Sequence, residues 1–380
     1  MLKYEVSITP ITPLHIGTGE ELMPFSYTIM DIYHSNKEEK FRYVRFSDEQ
    51  VVRYFTPEQL KELQQYIDRD DFPHLRQRYN QFASEIIPAH QKECIYYLAD
   101  ITDEIRNLWC ALEEKPQNSF IIQPTICSLY AKKPYIPGSS LKGAIRTALL
   151  DPYAQDYANE NPLVREQDML AALEHMEDHG RQKYKAQDDP LRVLKVTDAF
   201  FPAKGMRLIG QLVLYNREKQ QPESIAINEE VLKCLAISNA SEKENAESFT
   251  ATTTLALDTK LHERRNFMLA PRSFQEIADR CNTFYKSSFD EEYERFYCDG
   301  PDELFEGYKV VNEAFDHLEP TKEFMIRLGR HSQIEYLTFS TERRPGGKAF
   351  NRKTRTVFKY RNKLLPMGWV RCRLIDQAEV

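Results

Sequence analysis

The chain has 380 residues, with 51 Lys+Arg against 58 Asp+Glu, a net charge of −7, 41% hydrophobic and 29% charged residues; that is enough apolar material for a core and excludes a disordered polyelectrolyte. No run approaches ~18 consecutive apolar residues, and the opening MLKYEVSITP is charged and alternating, so neither a transmembrane helix nor a leader is expected and the cytosol is the expected location. Only 13 residues are glycine, about half the usual share, which excludes collagen-like repeats and glycine-rich linkers and makes each glycine informative.

Taken in chain order, residues 3–9 alternate as a strand does, and the loop TPLHIGTGE follows. Strands are expected at 25–33 and 41–46. Thr56-Pro57-Glu58-Gln59 reads as a capping box with proline at the first helical position, and Leu60, Leu63 and Ile67 form the apolar face of that helix. The spacing of Leu141, Ile145, Ala148 and Leu149 predicts a helix within 132–150, and Asn161-Pro162 starts another running to about His179. Strands are expected at 191–198, 207–215 and 249–257, with a helix at 229–238 between the last two. Leu304, Tyr308, Val311, Phe315 and Leu318 share one helix face, followed by strands at 324–328 and 369–375. This order lacks a regular βαβ period and fits an α+β fold. A split βαβ unit of ferredoxin-like type, used twice with long insertions, accommodates it. Two domains are expected at this length, 1–247 with a helical insertion and 248–380 with a basic hairpin or loop; the boundary falls between about 216 and 258.

The seven cysteines are scattered, no two closer than 16 residues, and read as reduced core thiols. His175 and His179 stand four apart beside Glu174 and Asp178 on the expected helix. The order His-Glu-x-x-His is absent, so a solvated acidic face is preferred and no metal or cofactor is expected.

Charge is uneven. Residues 321–380 hold 14 Lys+Arg and 5 Asp+Glu, a net of +9, while the rest of the chain is at −16. Residues 342–363 carry nine basic residues, among them Arg343, Arg344, Lys348, Arg352, Lys353 and Arg355, with Phe350, Phe358 and Tyr360 interleaved. That composition suits a phosphate backbone with stacked bases, or a solvated basic loop.

Four short segments carry candidate chemistry. In PGSSLKGAIR (137–146), Ser139 or Ser140 caps a helix whose first amides attract a phosphate. Lys142 and Arg146 share a face around Gly143, which costs about 1 kcal/mol relative to alanine inside a helix. Either a nucleic-acid backbone approaches there or another helix packs tightly. The segment is not a Walker A loop. In TPLHIGTG (12–19), Gly17 and Gly19 permit a tight loop exposing amides, and His15 reads as a general base for RNA cleavage, an RNA contact or a packing residue. RLGRHS (327–332) sets Arg327, Arg330 and His331 around a glycine turn suited to phosphate, and in PMGWV (366–370) Trp369 reads as a core anchor in preference to a stacking platform.

In this order, and together with VTDAF (196–200), these segments resemble the RAMP superfamily of CRISPR-associated proteins. IPGSSLKGAIR indicates the superfamily, and RLGRHS with PMGWV is closest to the family formed by the fifth subunit of the Csm (type III-A) effector complex. The resemblance runs from residue 4 to 373, with unmatched stretches at about 40–120 and 215–300. Gln333 departs from it, standing where the family often has glycine. The resemblance implies tandem ferredoxin-like (RRM-like) RAMP domains and a non-catalytic subunit that binds CRISPR RNA and caps the 3′ end of the assembly in antiviral defence. It also implies contact with the repeated backbone subunit and other Csm subunits, and a link to 3′-end maturation by recruited host nucleases. His15, Gly17, Gly19 and the helix at 139–146 would then lie along the RNA. The rival reading is a metal-independent endoribonuclease with His15 as base.

Overall fold

The computed structural model describes residues 1–33, 39–112, 120–128, 130–160, 165–202, 206–238, 249–333, 336 and 353–379. The architecture is α+β. One antiparallel sheet runs in the order Glu323–Arg327, Trp369–Glu379, Leu2–Pro10, Ala251–Leu257, Ala199–Phe200 and Tyr135–Ile136, with Leu194–Val196 also pairing with Ala251–Leu257. In the first strand Tyr4, Val6 and Ile8 are buried while Lys3 and Glu5 are exposed, so the alternation read from sequence puts one face on the core. Two 23-residue helices, Gly138–Glu160 and Phe274–Phe296, cover that inner face.

The second sheet links Arg207–Asn216 to Gln221–Leu232 and Thr354–Tyr360. It runs on through Ile95–Ile101, Glu39–Phe46 and Tyr27–Tyr33. Helices Pro57–Asp68 and Phe72–Ile86 cover its far end with a core of their own. Both sheets take strands from either side of residue 247. No described helix is long and apolar enough to cross a membrane.

Many expectations match. The capping box at Thr56–Gln59 is formed in both directions, Asp302–Asp316 is a helix with Leu304, Tyr308, Val311 and Phe315 buried, and four of the free cysteines, Cys94, Cys234, Cys281 and Cys372, are core thiols, whereas Cys110 and Cys298 are exposed. Others are corrected. Residues 229–238 are not helical: 229–232 end a long strand and Leu235–Ile237 is a short 3-10 turn. The carboxylates of Glu229 and Glu230 are fully buried there, which a helix face reading does not anticipate. The helix expected up to His179 spans Glu166–Leu173, after which His175 and His179 take left-handed φ of 52° and 50° around a small hairpin. They therefore do not share a helix face. The helix Phe274–Phe296 is absent from the expectations, although Ser273 caps it through the Glu276 amide.

That helix carries the most consequential buried charge. Glu292 accepts from Arg327 Nη1 at 2.7 Å, from Arg355 Nε at 3.0 Å and from the Tyr336 hydroxyl at 2.9 Å, all fully buried. Burial pushes its carboxyl upward, but the two guanidinium groups outweigh it and hold the group below its ordinary value. Removing the carboxylate leaves two buried cations without their shared partner. Glu292→Ala is predicted to cost at least about 3 kcal/mol of unfolding free energy; a denaturant titration showing less than about 1 kcal/mol would contradict this role.

Candidate nucleic-acid interface

Three of the sequence motifs meet. The turns of 12–19, 327–332 and 366–370 are tied backbone to backbone: Gly368 N–H donates to the Pro13 carbonyl at 2.9 Å, Leu328 N–H to the Gly368 carbonyl at 2.8 Å, and Arg330 N–H to the His15 carbonyl at 3.1 Å. Gly329 (φ +87°) and Gly368 (φ +89°) sit at these crossings, where an added Cβ would lie 2.2 Å from the His15 and Leu328 carbonyl oxygens respectively. Both conformation and space demand glycine.

Beside this knot opens a groove of about 580 Å³. One wall is the loop from His15 to Glu21, including Gly17 and Gly19. Another part of its lining is the face of helix Gly138–Glu160 presenting Ser140, Gly143 and Thr147. The Gly329–Ser332 turn closes one side, and buried Tyr285 and Tyr336 line the base. A Cβ on Gly143 would meet nothing within 4 Å. Among the described residues no helix packs there, and the glycine leaves the helix backbone open to the groove.

The helix begins at Gly138, and its first amide donates to Asp198 Oδ1 at 2.7 Å. The capping side chain thus comes from VTDAF, in place of the expected Ser139 or Ser140. Ser139 is exposed in the first turn and Ser140 lines the groove.

His15 is 2% exposed. Its Nδ1 donates to the Glu230 carbonyl at 2.8 Å, and its ring fills the space a side chain at Gly17 would need. Burial lowers its pKa, against the opposing pull of Glu229. A neutral, enclosed imidazole of this kind anchors the loop. His331 Nε2 donates to Glu229 at 2.9 Å, and Arg330 lies 3.6 Å from the same carboxylate and hydrogen-bonds Gln123. Arg330 keeps its side chain half-exposed at the groove.

The other cations are not brought to the groove wall in the expected way. Lys142 Nζ donates to the Leu194 carbonyl at 2.8 Å. Arg146 forks onto Asp189 at 2.9 and 2.8 Å and reaches Glu166 at 2.7 Å. Burial raises the Asp189 carboxyl, but the Arg146 fork prevails and holds it below its usual value. Arg327 and Arg355 are fully buried on Glu292, and Lys353 pairs with Glu218 at 2.7 Å on the surface. Arg343, Arg344, Lys348 and Arg352 lie outside the described residues. Trp369 is fully buried edge-on against Phe289, Phe315, Tyr285 and Tyr336, the core anchor that was the preferred reading. Among the described residues no cluster of His, Cys, Asp and Glu has metal-holding geometry.

Glu20 and Glu21 stand at the groove beside Arg330. Its suitability for a polyanion therefore rests on exposed backbone and hydroxyls more than on net charge.

A model of the RAMP superfamily matches residues 129–379, and the chain belongs to that superfamily. It is similar over 97% of its length to 99% of a chain in the cryo-EM structure of a Csm–crRNA–target RNA ternary complex of a type III-A CRISPR–Cas system, with 18% identity and a TM-score of 0.61. The crystal structure of T. onnurineus Csm5 aligns with 96% of this chain and 99% of that one, at 17% identity and a TM-score of 0.55. At these identities the likeness is one of fold. No curated protein matches the chain.

Gln333, directly after RLGRHS, holds φ +65°, a left-handed conformation that glycine adopts without strain. Gln333→Gly is predicted to leave stability unchanged or raise it by up to about 1 kcal/mol, whereas Gln333→Val lowers it, as read from thermal unfolding. Gly143→Ala is likewise predicted to stabilise the helix, by up to about 1 kcal/mol; a clear loss would show that the groove face is packed.

Proposed function

We propose that the chain is a non-catalytic CRISPR RNA-binding subunit, the counterpart of the fifth subunit of a type III-A Csm effector, acting in the cytosol. In this reading it caps the 3′ end of the assembly, contacts the backbone subunit and RNA together, and supports 3′-end maturation in antiviral defence, with recruited host nucleases doing the trimming. The observation that carries the reading is the convergence of the His15–Gly19 loop, the Gly143 face and the Gly329–Ser332 turn on one groove. Backbone amides and hydroxyls on such a surface position a sugar–phosphate chain without reading bases, as a complex that accepts any spacer requires. Fold similarity across nearly the whole of both relatives' chains supports it. The enclosed state of His15 favours an anchoring role over general-base chemistry.

The test fills the groove without touching the knot. Gly143→Glu places a long anionic side chain in open space, so the fold is expected to survive. RNA affinity is predicted to fall at least about tenfold, the loss of roughly one good phosphate contact plus repulsion, and wild-type binding is predicted to weaken as salt rises. Unchanged affinity in the variant would contradict the groove assignment. Wild-type protein incubated with repeat RNA in EDTA is predicted to leave it intact; site-specific cleavage would contradict the non-catalytic reading.

A further inference from the structure

The antiparallel sheet has a second face, away from the two long helices. At its edge, Tyr135 pairs directly with Phe200 across the ladder. Their neighbours Ile136 and Ala199 are fully buried, so Tyr135 and Phe200 point outward by alternation. The two rings stack, with centroids 5.1 Å apart and planes inclined by 27°, and Phe200 is 47% exposed. A large aromatic left in water on the strand next to the sheet edge, stacked on a second one on the edge strand itself, is a surface in search of a flat partner.

The surroundings indicate what that partner is. The next outward positions along the ladder are Thr252, opposite Phe200, and Ser7, opposite Thr252. These short hydroxyl side chains keep the surface flat beside the rings. Exposed Lys133 precedes Tyr135 by two residues, outward like it around buried Pro134, whereas exposed Lys195 stands on the outward side farther along, opposite Ala256 and four residues from Thr252. Of the nearby acids, Asp198 is engaged by the first amide of helix Gly138–Glu160, while exposed Glu5 stands on the outward side opposite Thr254. That helix starts two residues after the Tyr135–Ile136 strand and contributes Ser140 and Gly143 to the groove, so the chain runs directly from the aromatic edge of the sheet into the groove lining.

We propose that Tyr135 and Phe200 form a base-stacking platform for single-stranded RNA, with Lys133 beside it for a phosphate, extending the RNA-binding surface from the groove onto the outer face of the sheet. The inference rests on the RNA-binding reading above and adds a second, base-contacting site to it. Stacking on aromatic side chains tolerates any base, in keeping with variable RNA sequence.

The experiment uses the full chain with a mixed-sequence single-stranded RNA carrying 2-aminopurine. Tyr135→Thr with Phe200→Thr keeps residues suited to a strand, and its unfolding midpoint is compared with wild type. The expected result is a native fold, at least about tenfold weaker binding, loss of 2-aminopurine quenching and an unchanged salt slope, since no phosphate contact is removed. Phe200→Trp retains affinity. If the double variant binds like wild type while Gly143→Glu does not, the platform is wrong and the groove stands. If wild type binds no RNA, both fall. If RNA binding is intact but the double variant no longer enters the assembled complex, the pair is a protein-docking surface and the proposal is overturned. Should the double variant fail to fold, loss of binding and quenching in Phe200→Thr alone decides the question, and wild-type behaviour there overturns the platform.

Discussion

The site depends on a close approach of three backbones. Residues 13–15, 328–330 and 368 pass near enough to exchange hydrogen bonds directly, and at two of the crossings no side chain fits. An amide pair buried this way contributes about 1 kcal/mol each when made and costs more when broken. Its larger effect is geometric. Strands 2–10, 323–327 and 369–379 lie side by side in one sheet, and the knot fixes where the loops leave it. The groove exists because these loops are held clear of the Gly143 face. A chain poor in glycine overall spends several of its glycines here.

Behind the knot lies a second constraint, electrostatic in nature. Arg327 leaves the same strand as the Gly329 turn and is held by Glu292 from the long helix; Arg355 reaches the same carboxylate from the second sheet. One buried acid therefore ties the groove turn, the covering helix and the strand Thr354–Tyr360 within the basic segment. The aromatic cage of Trp369, Tyr336 and Phe289 excludes water around it, which strengthens the attraction and raises the cost of losing any member. On the other side of the groove helix, the fork from Arg146 to Asp189 plays a similar part. Cations that a sequence suggests for phosphate thus hold the frame on which backbone groups are displayed.

Local signals were legible in the sequence. Alternation gave the first strand, the capping box gave Pro57–Asp68, and the 3.6-residue period gave Asp302–Asp316. The glycine motifs mark segments that the fold brings to the groove, and of the two readings open for Gly143 the unobstructed space around it disfavours tight helix packing. Long-range partners were not legible. Nothing near Arg327 or Arg355 announces that Glu292, 35 and 63 residues away, will bury them. Glu229 and Glu230 resemble a solvent face until Arg207, His15 and His331 are placed around them. The aromatic pair was also hidden, because Tyr135 and Phe200 meet only through cross-strand register. The signal for helix Phe274–Phe296 was present in Ser273 and Glu276 and in the spacing of Ile277, Cys281 and Tyr285.

The central claim is that RNA runs through the groove lined by the His15–Glu21 loop, the Gly143 helix face and the Gly329–Ser332 turn. Photocrosslinking of RNA within the assembled complex, mapped to peptides by mass spectrometry, tests it most directly. The account predicts crosslinks concentrated in peptides containing residues 15–21, 139–147 and 329–332, the walls of the groove. Crosslinks confined to other surfaces, with these three segments unlabelled in a complex that retains its RNA, would contradict it.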